Sequence, residues 1–335
     1  MTRILAGVSL LVSLAACGFL QGPAPTAQAL APAAILASIP VGRGPTLLAM
    51  APDGSRVFAA SVGTLTIIRT DTRTAAATVT IDPYPTGLAV TPDGRRVLVM
   101  TISSARLALL DAATGAREPA IGLPQNLYPG GYGRIAVSPD GQSATVANLD
   151  EWLAIADLAA ATARNRLLDM RPRDVTFSRD GRTLYVTGCR EYCTSGTVEL
   201  LDSASHDTIR TLTVGPAPDR LALSPDGSRA YTTNVGGPSL SVVDLASGVV
   251  EATVPVGIEP TGLAVSPDGS RIYVANQTSG TLTVVGAADN AVLGTVRVPG
   301  APREIVVTPD GRQAYVSTAA PNAVVVLDTA RLVGP

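Results

Sequence analysis

The sequence predicts an all-β fold, a seven-bladed β-propeller with four antiparallel strands per blade. Three observations predict it. A turn of the Ser-Pro-Asp-Gly kind recurs seven times, with aspartates at Asp53, Asp93, Asp140, Asp180, Asp226, Asp268 and Asp310, spaced 40, 47, 40, 46, 42 and 42 residues apart. A period near forty with strand-like flanks is the signature of a radial repeat, one sheet per copy. Short alternating apolar runs separate the turns, and the apolar residues are mainly Ala, Val, Leu and Ile, with only 4% aromatics. Such side chains suit sheets stacked face to face.

The sixth repeat shows the plan of each blade. Thr261–Val265 reads as the inner strand, Arg271–Asn276 as the second, Thr281–Val285 as the third and Ala291–Val298 as the outer one. Alternation within the runs and turn residues between them indicate an antiparallel meander. In the turns, proline presets φ at the first central position and glycine takes the left-handed conformation after Asp. The seven aspartates are therefore turn chemistry, not a ring of catalytic carboxylates. In the fourth copy Arg179 replaces the proline, which a type I turn tolerates.

Tyr273-Val274-Ala275-Asn276, Tyr185-Val186-Thr187-Gly188 and Tyr231-Thr232-Thr233-Asn234 resemble the motif of the YVTN-type β-propeller repeat family. With the turns upstream, the resemblance covers residues 34–335 and implies the same propeller fold. The family's functions are varied, so the resemblance carries little about chemistry.

The ring needs a closure. Residues 36–54 align with 251–269, which makes Ile35–Val41 an outer strand with no blade before it. Ala323–Leu327 is a third strand with no fourth after it. The N-terminal strand is expected to complete the last blade and remove an open sheet edge.

Residues 1–16 read as an export signal: Arg3 supplies a positive charge, and the apolar run Ile4–Ala16 is too short to span a bilayer comfortably. Leu14-Ala15-Ala16-Cys17 resembles the lipobox of bacterial lipoproteins, which implies cleavage after residue 16 and lipidation of Cys17. An ordinary secretory signal cut after Ala29 is the alternative. Residues 17–33, rich in Pro and Ala, read as a tether. The expected location is the periplasm, lipid-anchored at the outer membrane, because Gly18 is not the aspartate that resembles an inner-membrane retention signal. Cys189 and Cys193 are expected to form a disulfide that staples a loop.

Composition narrows the function classes. The formal charge of −2 gives no basic footprint for nucleic acid. Every basic residue is arginine, which removes Schiff-base lysine chemistry. The only histidine, His206, reads as a solvated turn residue on the outer rim, so His-rich metal sites and Ser-His-Asp triads are excluded. No catalytic residue, metal or cofactor is assigned, and a monomer is expected.

Two features point to where function sits. The long spacings place insertions at 122–133 and 188–196, on the face opposite the Asp-Gly turns. There Tyr128, Tyr132, Trp152 and Tyr192 concentrate in a chain poor in aromatics, as binding surfaces favour. The entries of the inner strands should face the channel mouth, and these carry Arg134, Asp174, Arg220 and Glu304, preceded by Arg173, Asp219 and Arg303. Arginines there suit a bidentate hold on an anion. The interleaved carboxylates equally suit a ring of mutually paired charges, or a hard cation. The leading expectation is a non-enzymatic scaffold that binds a protein, glycan or envelope partner through the blade 3 and 4 loops. The alternatives are a lactonase- or lyase-type enzyme at the funnel, using Arg134, Arg173, Asp174 and Glu304, or an accessory to a periplasmic redox or quinone-dependent system.

Overall fold

The computed structural model describes residues 28–29, 34–102, 105–124, 133–148, 150–190 and 193–333. Its strands form seven sheets, each built on a four-stranded antiparallel meander that runs from the ring axis outwards. Blade 1 runs from Leu47 to Thr80, blade 2 from Pro85 to Gly122, blade 3 from Arg134 to Leu167 and blade 4 from Arg171 to Val214. Blade 5 runs from Pro218 to Pro255 and blade 6 from Pro260 to Arg297.

Blade 7 is assembled from both ends of the propeller. Its three inner strands are Pro302–Val307, Gln313–Ala319 and Asn322–Asp328, and the outer one is Ile35–Pro40. The last two pair antiparallel, with Ile35 opposite Leu327 and Pro40 opposite Ala323. The expected closure is therefore present. One feature was not expected: Gln28–Ala29, within the segment read as a tether, forms a short strand parallel to the outer strand of blade 6. An outer strand offers free backbone groups for such pairing.

The seven turns have the expected chemistry. Their glycines, Gly54, Gly94, Gly141, Gly181, Gly227, Gly269 and Gly311, all have φ between 69° and 72°. The aspartates accept hydrogen bonds from the turn itself, as in Ser228 N to Asp226 Oδ1 at 3.0 Å. Those bonds stabilise the ionised form, and Asp226 is lowered to about 2.

Seven apolar clusters hold the ring, one between each pair of adjacent blades. The cluster between blades 7 and 1 joins Tyr315 and Val326 to Leu48 and Val57, so packing as well as strand pairing seals the ends. Phe58, Tyr185, Tyr231, Tyr273 and Tyr315 occupy one position of the second strand, and all are buried. The asparagine of the tetrapeptide motif is structural too. Asn276 Nδ2 donates to Thr281 Oγ1 at 3.0 Å and Thr283 Oγ1 at 2.9 Å, and Asn234 binds Ser239 and Ser241 in the same way. The motif thus ties the second strand to the third.

His206 departs from expectation. It is in a turn, with φ of 64°, but the residue is only 4% exposed. Arg164 Nη2 lies 3.0 Å from its Nδ1, and Arg166 Nε donates to its carbonyl at 3.1 Å. The outer strand of blade 3 covers it, a contact between neighbouring blades that local turn chemistry does not reveal. Burial, then the charge of Arg164, lower its pKa.

Candidate functional site: an arginine-lined funnel

The site grows from an irregularity at the start of the inner strands. In blades 4 and 5 the ladder passes from Pro172↔Gly188 to Asp174↔Thr187 and from Pro218↔Asn234 to Arg220↔Thr233. Arg173 and Asp219 are left over as bulge residues. Blades 2, 6 and 7 have a similar shift, at Thr86, Thr261 and around Arg303. A bulge sets two residues of one strand against one of its partner, and so re-aims side chains. These inner strands thereby offer the axis consecutive residues rather than alternate ones.

Together they line a cavity of about 410 Å³ that includes Arg134, Arg173, Asp219, Arg220, Glu259 and Arg303. Glycine in the inner strands of blades 2 and 6 lets neighbouring strands approach: a Cβ on Gly262 would lie 2.6 Å from the Arg303 carbonyl oxygen, and one on Gly87 2.1 Å from that of Gly133.

The charges are only partly paired. Glu304 is 7% exposed, and its Oε2 accepts from Arg220 Nη2 at 2.6 Å and from Arg134 Nη1 at 3.0 Å. Burial pushes Glu304 up to about 7, against the pull of Arg134. Asp174 is also raised to about 7, by burial first. Both its oxygens accept from backbone, Oδ2 from Leu221 N at 3.0 Å and Oδ1 from Val175 N at 2.9 Å, so it clamps blade 4 to blade 5.

Other donors are unused. Arg220 is 5% exposed, yet its Nε and Nη1 have no hydrogen-bond partner among the described residues. The buried Nε atoms of Arg173 and Arg303 are likewise unpartnered among those residues. Buried polar groups are normally satisfied, so such a concentration marks a place for a missing acceptor.

The residues singled out from the sequence divide accordingly. Arg134, Arg173, Arg220 and Arg303 line the cavity, with Glu304 bonded to two of them and Asp174 holding the adjoining blades. Trp152 stands apart, half-buried against the core between blades 2 and 3. Tyr128, Tyr132, Tyr192 and Cys17 lie outside the described residues. Cys189 and Cys193 form a disulfide, with Cα atoms 5.0 Å apart. Among the described residues, no group of three or more His, Cys, Asp or Glu is placed to hold a metal ion. Sequence reasoning missed Glu259 and Gln277, which also line the cavity. A signal existed for Glu259. Glu259-Pro260-Thr261 matches Tyr84-Pro85-Thr86 in the repeat, and Glu259 and Tyr84 share a φ of 58°.

Fold and site define a seven-bladed β-propeller with a charged axial funnel. The model of the family described as "Lactonase, 7-bladed beta-propeller" matches residues 169–297, which span blades 4 to 6. Among solved structures, the chain is similar to Kuenenia stuttgartiensis hydrazine synthase, at 21% identity and a TM-score of 0.78, covering 93% of this chain and 99% of that one. It is also similar to the β-propeller domain of Myceliophteria thermophila Cps50 (Swd1), at 13% identity and a TM-score of 0.75, covering 88% and 98%. At these identities the likeness is one of fold. No curated protein matches the sequence.

Proposed function

We propose that the protein is an exported, lipid-tethered binding protein whose axial funnel captures a small carboxylate-bearing molecule. The observation that carries this reading is Arg220. Its buried guanidinium gives one nitrogen to Glu304 and leaves Nε and Nη1 unpartnered among the described residues, in a cavity lined by three further arginines. A carboxylate accepts a charge-assisted N–H bond from either of these nitrogens. The described part of the blade 3 and 4 loops offers no comparable set of unsatisfied guanidinium groups. Export is supported by the N-terminal signal pattern and by the disulfide, which belongs to an oxidising compartment.

A lactonase- or lyase-type enzyme at the same funnel is the second reading. It is favoured by the family match over blades 4 to 6 and by two acids raised to about 7, near the range useful for proton transfer. Binding is preferred because those acids are already engaged, Glu304 by two arginines and Asp174 by two backbone amides.

Calorimetric titration with propionate tests the proposal. Binding by the native protein that is lost in Arg220→Met, and weakened in Arg173→Met, supports it. Equal binding by all three proteins overturns it.

A further inference from the structure

Among the described residues, the funnel carries carboxylates without an ion-pair partner as well as guanidinium groups with unpartnered nitrogens. Asp219 lines the cavity and has neither a hydrogen bond nor an ion pair among the described residues. Glu259 lines the same cavity, and among the described residues its side chain meets only uncharged donors, Gln277 Nε2 at 3.4 Å and Thr278 Oγ1. The carboxylates feel each other: Glu304 and Glu259 both add to the upward push that burial exerts on Asp219. A ligand that is only an anion would satisfy the arginines but be repelled by Asp219. A ligand that is only a cation would leave the arginines unsatisfied.

We infer that the ligand is a zwitterion of the amino-acid type, its carboxylate held by Arg220 and Arg173 and its ammonium by Asp219 and Glu259. The inference rests on the carboxylate reading above and adds the second charge. Adjacency supports placing both charges on one carbon. Arg173 and Asp219 are the bulge residues of neighbouring blades, and Arg173 is close enough to pull on Asp219's titration. A metal ion bridging the acids is not favoured, since no third ligand is placed for it among the described residues.

Three isosteric probes separate the outcomes: L-alanine, L-lactate and propionate, titrated into the folded protein by calorimetry. L-alanine should bind at least tenfold more tightly than propionate, an electrostatic preference of about 1.4 kcal/mol. Asp219→Asn should erase that preference by weakening alanine binding, and Glu259→Gln should reduce it. Asp219 makes no hydrogen bond among the described residues, so the fold should survive its replacement. Lactate binding as well as alanine, or a preference that survives Asp219→Asn, would overturn the inference. If propionate and alanine bind equally and both need Arg220, the carboxylate reading stands and the zwitterion falls. If none of the three binds, both fall.

Discussion

Arg220 Nη2 lies 2.6 Å from Glu304 Oε2, joining blade 5 to blade 7 across the funnel. Arg134 of blade 3 reaches the same oxygen at 3.0 Å. One buried carboxylate thus neutralises part of two guanidinium groups and leaves Arg220 Nε and Nη1 without a partner among the described residues. An exposed pair such as Arg69–Asp71 differs, because water screens it and it contributes little.

Glu304→Gln should therefore destabilise the protein and tighten anion binding together. Removing one partner of a buried ion pair costs about 3–5 kcal/mol. The two arginines would then be free for an added carboxylate. Thermal denaturation should show a lower Tm, and propionate should raise it more than in the native protein. Equal stabilisation by propionate in both would contradict this.

Stability should fall as pH rises from about 4 to about 7 through the funnel acids. Glu304 and Asp174 are both raised to about 7 in the folded chain, while unfolded carboxylates titrate near pH 4. The folded state binds more protons in that window, so their contribution is full below it and is lost as pH rises through it. The turn aspartates, such as Asp226 at about 2, act oppositely and lose theirs as pH falls below about 4. Denaturant midpoints should thus decline less steeply from about pH 5 to about pH 7.5 in Asp174→Asn than in the native protein.

The closing strand should keep the chain from associating through an open sheet edge. Deleting Ile35–Pro40 exposes the edge of Asn322–Asp328, with which it pairs from Leu327 to Ala323. Free edges recruit other chains. Size-exclusion chromatography should show oligomers or aggregate for the deletion and a single smaller species for the native protein.

Asn276→Ala should lower stability by about 1–3 kcal/mol, since it leaves buried hydroxyl groups of Thr281 and Thr283 without their donor. Propionate affinity should not change. A loss of affinity with no loss of stability would reverse the assignment of this motif to the fold.

The repeat makes the architecture legible, because turn chemistry is local and the same side chains recur at near-constant distance. Even the closure can be read, by aligning residues 36–54 with 251–269. The funnel residues can be read by register, since Arg134, Asp174, Arg220 and Glu304 share a repeat position. Their pairing cannot. Which guanidinium meets Glu304 depends on distances across the axis, between blades whose partners lie 84 and 170 residues apart in sequence. The burial of His206 is hidden for the same reason, because its cover comes from Arg164 and Arg166 of the neighbouring blade.

The most direct test is diffraction from crystals of the protein soaked with 3-bromopropionate, whose bromine locates the acid by anomalous scattering. The carboxylate should appear inside the funnel, within hydrogen-bond distance of Arg220 Nε or Nη1. A funnel that holds only water while the acid binds elsewhere would contradict the assignment of Arg220 as the anion-binding group.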